Sequence, residues 1–171
     1  MCLAAVPDIR RAAPADLPFI AALCVEHAAY EGVHYERHPA PDALHAALFG
    51  DNAHLLCWVV EHEQRVFGYA TATREFSTWE AAYFLHMDCL YLRPQLRGLR
   101  LGERLLGALA TDAVRLGCRG MQWQTPTSNL RAAAFYRRIG ARSKDKLRFY
   151  LAHAELRSLT LSVPAAIDSA Q

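Results

Sequence analysis

Cysteine, tryptophan and methionine are scarce in this 171-residue chain, with five, three and three copies. Cys2, Cys24, Cys57, Cys89 and Cys118 are odd in number, scattered and set in apolar stretches, which excludes a disulfide framework and reads as reduced, mostly buried thiols. An excess of one charge is missing too. Nineteen Lys+Arg against seventeen Asp+Glu leave a formal charge of +2, too little for the broad positive field of a nucleic-acid binder. No apolar run reaches membrane-spanning length without a charge, and Met-Cys-Leu-Ala-Ala-Val-Pro-Asp at the start has neither a basic leader nor a long apolar segment. The expectation is a cytoplasmic protein without nucleic-acid or membrane partners. None of the eight histidines stands at a metal-ligand spacing from Cys, Asp or Glu, and His34 and His38 lack a second local pair, so no metal is expected. There is no Gly-Lys-Ser/Thr loop and no Gly-x-Ser-x-Gly elbow, which removes nucleotide hydrolysis and serine-esterase chemistry. No linker, repeat or low-complexity tract breaks the chain, and a 53% hydrophobic composition at this length predicts one domain over residues 1–171.

What is present alternates between two periodicities. Residues 8–11 read as a brief strand, and the Pro14/Asp16 region opens a helix whose apolar positions Leu17, Ile20, Ala21, Cys24 and Ala28 recur at helical spacing before Gly32. Residues 33–41 read as a loop and 43–49 as a helix started by Pro41/Asp42 and stopped at Gly50. Residues 55–61 and 65–73 form a hairpin through His62-Glu63-Gln64, 74–82 a long connector, and 83–92 a central apolar strand. The spacing predicts a helix over 102–116, with Leu101, Leu105, Leu109 and Ala113 inward, Glu103, Arg104, Asp112 and Arg115 largely away from them, and Gly117 as its stop. A short strand over 121–125, a helix capped by Ser128/Asn129 and running to Ile139, and a last strand over 148–151 complete the chain, the tail to Leu159 reading as helix or strand. Strand–helix–strand units within a strand-rich order imply an α/β sandwich around a mixed sheet.

Chemistry concentrates in two places. Arg97-Gly98-Leu99-Arg100-Leu101-Gly102 is a Gly/Arg turn between strand and helix, and it aims unpaired helix N-terminal amides, with arginines around them, at one anionic point. Thirty residues on, Asn129 and Tyr136 stand seven apart, about two helical turns, so that both can share one helix face. Taken alone, Asn129 is equally a helix cap and Tyr136 a core-edge residue.

Together these elements resemble the cofactor-binding half of the Gcn5-related N-acetyltransferase (GNAT) superfamily, whose members move acetyl from acetyl-coenzyme A to an amine. The signature Arg/Gln-x-x-Gly-x-Gly/Ala, usually displayed as Arg-Gly-x-Gly-x-Gly, is matched at 97–102 except that Arg100 replaces the middle glycine. Asn129, Ala132, Phe135, Tyr136, Gly140 and Ala141 match Asn-x-x-Ala-x-x-Phe-Tyr-x-x-x-Gly-Phe/Ala. The resemblance implies a GNAT-like mixed sheet, splayed between its fourth and fifth strands and flanked by helices. It implies pyrophosphate at Leu99, Arg100, Leu101 and Gly102, with Arg97 and Gly98 beside it, and pantetheine along Leu90, Leu92, Asn129 and Phe135. The amide near Tyr91 or Leu92 would polarise the acetyl carbonyl, and the Tyr136 phenol would protonate the departing thiolate.

An ammonium cannot attack a thioester, so a base is needed. Asp88, a carboxylate in an otherwise apolar strand, is the candidate, and His86, two residues earlier, is the alternative. Phe84-Leu85-His86-Met87-Asp88, Glu26-His-Ala-Ala-Tyr-Glu31 and Phe76-Ser-Thr-Trp79 resemble the polyamine/thialysine N-acetyltransferase subgroup. That likeness implies a small, cationic amine substrate, with Glu26, Glu31 and Asp88 as its anionic contacts, Tyr30 and Trp79 as its walls, and a homodimer formed partly through residues 149–159. A peptide or protein amine is the alternative acceptor, and Arg100 in the glycine turn keeps open a non-catalytic acyl-CoA-binding module.

Overall fold

Five strands build one mixed sheet in the computed structural model, which describes residues 6–33 and 41–162. β1 (Asp8–Arg11), β2 (Leu55–His62), β3 (Arg65–Ser77), β4 (Ala82–Leu92) and β5 (Met121–Trp123) lie side by side in chain order. The first four are antiparallel, whereas β5 runs parallel to β4. A parallel neighbour needs a crossover. It is supplied by α3 (Leu101–Arg115).

The β2–β3 hairpin closes through Glu63 and Gln64, both at positive φ, the geometry that matches a two-residue turn to strand twist. The expected long connector over 74–82 is a correction: β3 runs on to Ser77 and pairs with β4 from Ala82, leaving residues 78–81 as the turn. The extension carries its own cross-strand pairs, with the Phe76 and Tyr83 rings edge-to-face at 5.0 Å and the Arg74 guanidinium 3.3 Å from the Tyr83 ring centroid.

α1 (Leu17–Glu31) covers one face of the sheet. Ile20 and Leu23 pack there on Cys57, Val59, Val66, Tyr69 and Tyr91, and Leu44 and Leu48 of α2 (Pro41–Phe49) join them. α3 contacts β2, β3 and β4 with its buried Leu101, Leu105, Leu109 and Ala113. Asp112 is not turned to water as its polarity suggests. It is buried, accepts a hydrogen bond from the Trp58 indole at 2.8 Å, and pairs with Arg11 at 2.5 Å and Arg115 at 3.4 Å, so its charge is compensated from β1 and from α3 itself. At the other end, Asp16 is buried in the turn before α1 and takes a two-pronged contact from Arg10.

The chain divides between Phe135 and Tyr136 into two compact units. α4 (Leu130–Arg138) begins in the first and ends in the second, which also holds α5 (His153–Ser162). The tail is therefore helical. Residues 148–151, which read as a strand, carry neither strand nor helix, since no other strand among the described residues of this unit offers a ladder partner. His34, His38 and Cys2 lie outside the described residues. Among those described, no helix is long and apolar enough to cross a membrane.

Candidate active site

β5 pairs only with Leu85, His86 and Met87, while β4 continues to Leu92. From residue 88 onward no strand of the described chain lies on that side of β4, which produces the expected opening between the fourth and fifth strands. The opening coincides with a fault in the other ladder. Ala72 pairs with Met87 and Thr71 with Cys89, so Asp88 is the extra residue of a β-bulge. The bulge exchanges the faces of the strand: Cys89 and Tyr91 now point to α1, where unbroken alternation from Leu85 and Met87 directs them to the opposite face. Asp88 is thereby exposed, and the desolvation penalty expected from its apolar strand does not arise. The Cys89 thiol lies 3.5 Å from its Oδ2. His86, the alternative base, sits 3.1 Å from Glu75 Oε1, an atom that also accepts from the Thr73 hydroxyl.

After β4 the chain makes a short helical turn at Pro94–Leu96 and then two left-handed residues, Gly98 at φ 86° and Arg100 at φ 59°, before α3 starts. The Arg100 substitution therefore leaves the glycine-type torsion in place and imposes it on a residue with a Cβ. Arg100, at the N-cap of α3, makes no side-chain cap bond, and the N-terminal end of the helix is the end that favours an anion. Arg100 reaches back to Glu103 with nitrogen–oxygen distances of 3.1 and 3.2 Å, and an open concavity of about 430 Å³ is lined by Arg100, Glu103 and Arg104. Gly102 lies under the Phe135 ring. A Cβ there would stand 3.4 Å from Phe135 Cζ, an ordinary van der Waals contact, so only a larger side chain would press on the ring.

Arg97 is engaged within the protein. Its Nε donates to the Leu92 carbonyl at 2.7 Å and its guanidinium lies 4.6 Å from the Tyr30 ring centroid, filling the cation–π position proposed for a ligand. Glu26 is likewise engaged. Arg93 forks onto it with contacts of 2.6 to 3.1 Å, which hold its carboxyl below the ordinary range and tie α1 to the end of β4. Trp79, at the tip of the β3–β4 hairpin, is 98% exposed and is not gathered with Glu31, Tyr30 or Asp88.

Sequence reasoning passed over His27. It stacks on Tyr91 at 5.2 Å between ring centroids, its Nδ1 lies 3.3 Å from the Tyr69 hydroxyl, and its Nε2 lies 3.6 Å from Glu31 Oε1. Burial lowers its pKa, partly opposed by Glu31 and Asp88. The available signal was its i, i+4 relation to Glu31. Burial also pushes the Cys89 and Cys57 thiols up to about 12.

Asn129 takes the capping role: its Oδ1 accepts from the Ala132 amide at 3.1 Å, which leaves the carboxamide N–H groups as donors. Tyr136 lies on α4 within the second unit, where its carbonyl accepts from the Ala141 amide at 3.0 Å.

Residues 20–141 match the model of the acetyltransferase (GNAT) family. A thialysine N-epsilon-acetyltransferase of Bos taurus is 28% identical over 141 residues, covering 78% of this chain and 82% of its own. Among solved structures, an aminoglycoside N-acetyltransferase in complex with CoA superposes with a TM-score of 0.73 at 15% identity, over 90% of this chain and 99% of that one. An aminoglycoside acetyltransferase from an uncultured soil metagenomic sample, in complex with sisomicin, gives 0.72 at 18% identity, over 85% and 95%. The splayed sheet is thus the fold of known acetyltransferases, and the chain belongs to the acetyltransferase (GNAT) family as an N-acetyltransferase.

Proposed function

We propose that this N-acetyltransferase moves acetyl from acetyl-coenzyme A to the primary amine of a small cationic metabolite, polyamine-like or amino-acid-like, by direct transfer in a ternary complex. The observation that carries the reading is the bulge: it exposes Asp88 at the point where β4 loses its partner strand, with the start of α3 beyond one end of the opening and the α1 carboxylates on the adjoining face. The likeness to thialysine N-epsilon-acetyltransferases favours the same acceptor class.

In this reading acetyl-CoA fits the chain's own donors. The amides of Leu99 to Gly102 hold its pyrophosphate, the backbone of Leu90 and Leu92 runs beside the pantetheine, and Asn129 donates to it through the carboxamide N–H groups. The amide near Tyr91 or Leu92 polarises the acetyl carbonyl. Asp88 accepts the ammonium proton, directly or through water, so that the neutral amine attacks. Tyr136 keeps the role its motif implies, protonating the sulfur as it departs. Glu31 attracts the distal cation, while Glu26, neutralised by Arg93, positions α1. Cys89, the thiol beside Asp88, does not act as nucleophile, since burial holds its proton at neutral pH. A single catalytic domain over residues 1–171, a cytoplasmic location and a homodimer belong to the same proposal; sedimentation showing a concentration-independent monomer removes the dimer.

The test is thiol release from acetyl-CoA across a panel of amines. Release that depends on a diamine or a thialysine-like amine supports the reading, and release only with peptide amines moves the activity to protein acetylation.

A further inference from the structure

The α1 face of the sheet holds a titratable cluster that neither the phosphate turn nor Asp88 accounts for. Tyr69 Oη, His27 and Glu31 form a chain from the core outward, with separations of 3.3 and 3.6 Å. The His27 and Glu31 side chains are 15% and 26% exposed, whereas Tyr69 is fully buried. Burial holds the Tyr69 hydroxyl in its protonated form, and the His27 tautomer sets the direction of their bond: a ring bare at Nδ1 accepts from Tyr69. The neutral ring then carries its own proton on Nε2, facing Glu31.

The groups facing this ring come from three elements and the segment after β4. Cys24, Glu26 and Glu31 lie on α1, Tyr69 on β3, and Asp88, Cys89 and Tyr91 on β4. Arg93 is taken by Glu26, and Arg97 reaches the Tyr91 ring from 5.7 Å. The Cys24 and Cys89 thiols are held neutral by burial. Glu31 and Asp88 both act electrostatically on His27. Histidine is the side chain whose charge ordinarily changes near neutrality, so in this cluster the net charge shown to an incoming cation follows His27.

We propose that His27 is a specificity-determining residue: its neutral form admits amines bearing a second positive charge, and its protonated form rejects them. The proposal rests on the reading of this face as the acceptor side. An imidazolium and a substrate ammonium compete for the same carboxylates, so each weakens the other to the same extent. Burial keeps the ring neutral at neutral pH, which places rejection on the acid side.

The experiment compares kcat/KM for a straight-chain diamine with that for the monoamine of equal length, from about pH 5.5 to 8, in wild type and His27→Gln. Dividing the two cancels the proton that either reacting amine must lose. In wild type the ratio falls toward acid, with about tenfold as its acid limit, carried by KM rather than kcat, as a one-unit linkage requires. In His27→Gln it stays level. A diamine preference that ignores pH in wild type, or that keeps its fall in His27→Gln, overturns the proposal and leaves the acceptor reading standing. Equal kcat/KM for both amines at every pH overturns the acceptor reading and the proposal with it. A second readout needs no turnover: the His27 ring resonance, assigned by its loss in the variant, titrates about one unit lower with the diamine than with the monoamine. An identical midpoint with both amines overturns the proposal.

Discussion

Gly102 separates two reasons for a glycine at the start of α3. A Cβ built there lies 3.4 Å from Phe135 Cζ and 3.9 Å from Cε1 and Cε2, with nothing nearer. Alanine therefore completes an ordinary van der Waals contact, and since glycine in a helix costs roughly 0.5–1 kcal/mol relative to alanine, Gly102→Ala should gain up to that amount. For a chain of this length that is about 2–4 °C in Tm at the upper end. Valine puts branched carbons where the ring already stands, and overpacking of this kind costs about 1–3 kcal/mol. Acetyl-CoA binding should weaken in Gly102→Val because Phe135 is pushed off the first turn of α3. Urea unfolding and calorimetric titration of Gly102→Ala, Gly102→Val, Phe135→Leu and the Val/Leu double variant measure both effects. The double variant should recover most of the valine loss, a coupling of about 1–2 kcal/mol. If alanine unfolds as readily as valine, or if Phe135→Leu gives no relief, the packing account of Gly102 is wrong. Normal stability of Gly102→Ala with lost acetyl-CoA binding would return the glycine to backbone approach alone.

Three further outcomes follow from particular contacts. Asp16, its side chain 7% exposed, is held below the ordinary carboxyl value first by the hydrogen bond from Arg10. Its folded value lies under its unfolded value of about 3.9, so the stabilisation is present above that pH and lost as pH falls through the folded value. Because the Arg10 side chain is 35% exposed, Asp16→Asn should cost only about 1–3 kcal/mol at neutral pH, and the gap from wild type in urea should close in acid. Asp88→Asn should lower turnover chiefly near neutrality while acetyl-CoA binding holds, and Tyr136→Phe should slow chemistry by about 10²–10⁴-fold; an unchanged Asp88→Asn pH-rate profile passes the base role to His86 or solvent. With its thiol pushed up to about 12, Cys89 should show no stoichiometric acetylation by mass spectrometry after exposure to acetyl-CoA without amine, and Cys89→Ala should keep turnover.

The elements that were legible in the sequence are those whose signal is local. The apolar stripe of α3, the hairpin around Glu63-Gln64 and the ends of α1 at Gly32 and α3 at Gly117 each follow from residues within one or two turns. What was missed depends on partners far along the chain. The bulge at Asp88 exists only in register with Thr71 and Ala72, and it decides which face Cys89 and Tyr91 occupy. Asp112 looks like a solvent residue until Arg11 and Trp58, 101 and 54 positions away, are brought to it. Arg97 and Glu26 have the right residue types for ligand contacts, yet Tyr30, the Leu92 carbonyl and Arg93 claim them in the fold. His27 stood inside the Glu26–Glu31 string without a role because its neighbours Tyr69 and Tyr91 come from the sheet. The expected strand over 148–151 had the composition of a strand, but composition supplies no ladder partner.

The central claim is acetyl transfer to a small cationic amine at the opening beside Asp88. Initial-rate thiol release from acetyl-CoA, with a diamine and acetyl-CoA varied against each other, tests it most directly. The account predicts intersecting double-reciprocal lines, release that depends on the diamine, and a loss of that release in Asp88→Asn with acetyl-CoA binding intact. Tight acetyl-CoA binding without amine-dependent thiol release, or parallel lines accompanied by an acetylated enzyme that passes its acetyl group to amine, would contradict it.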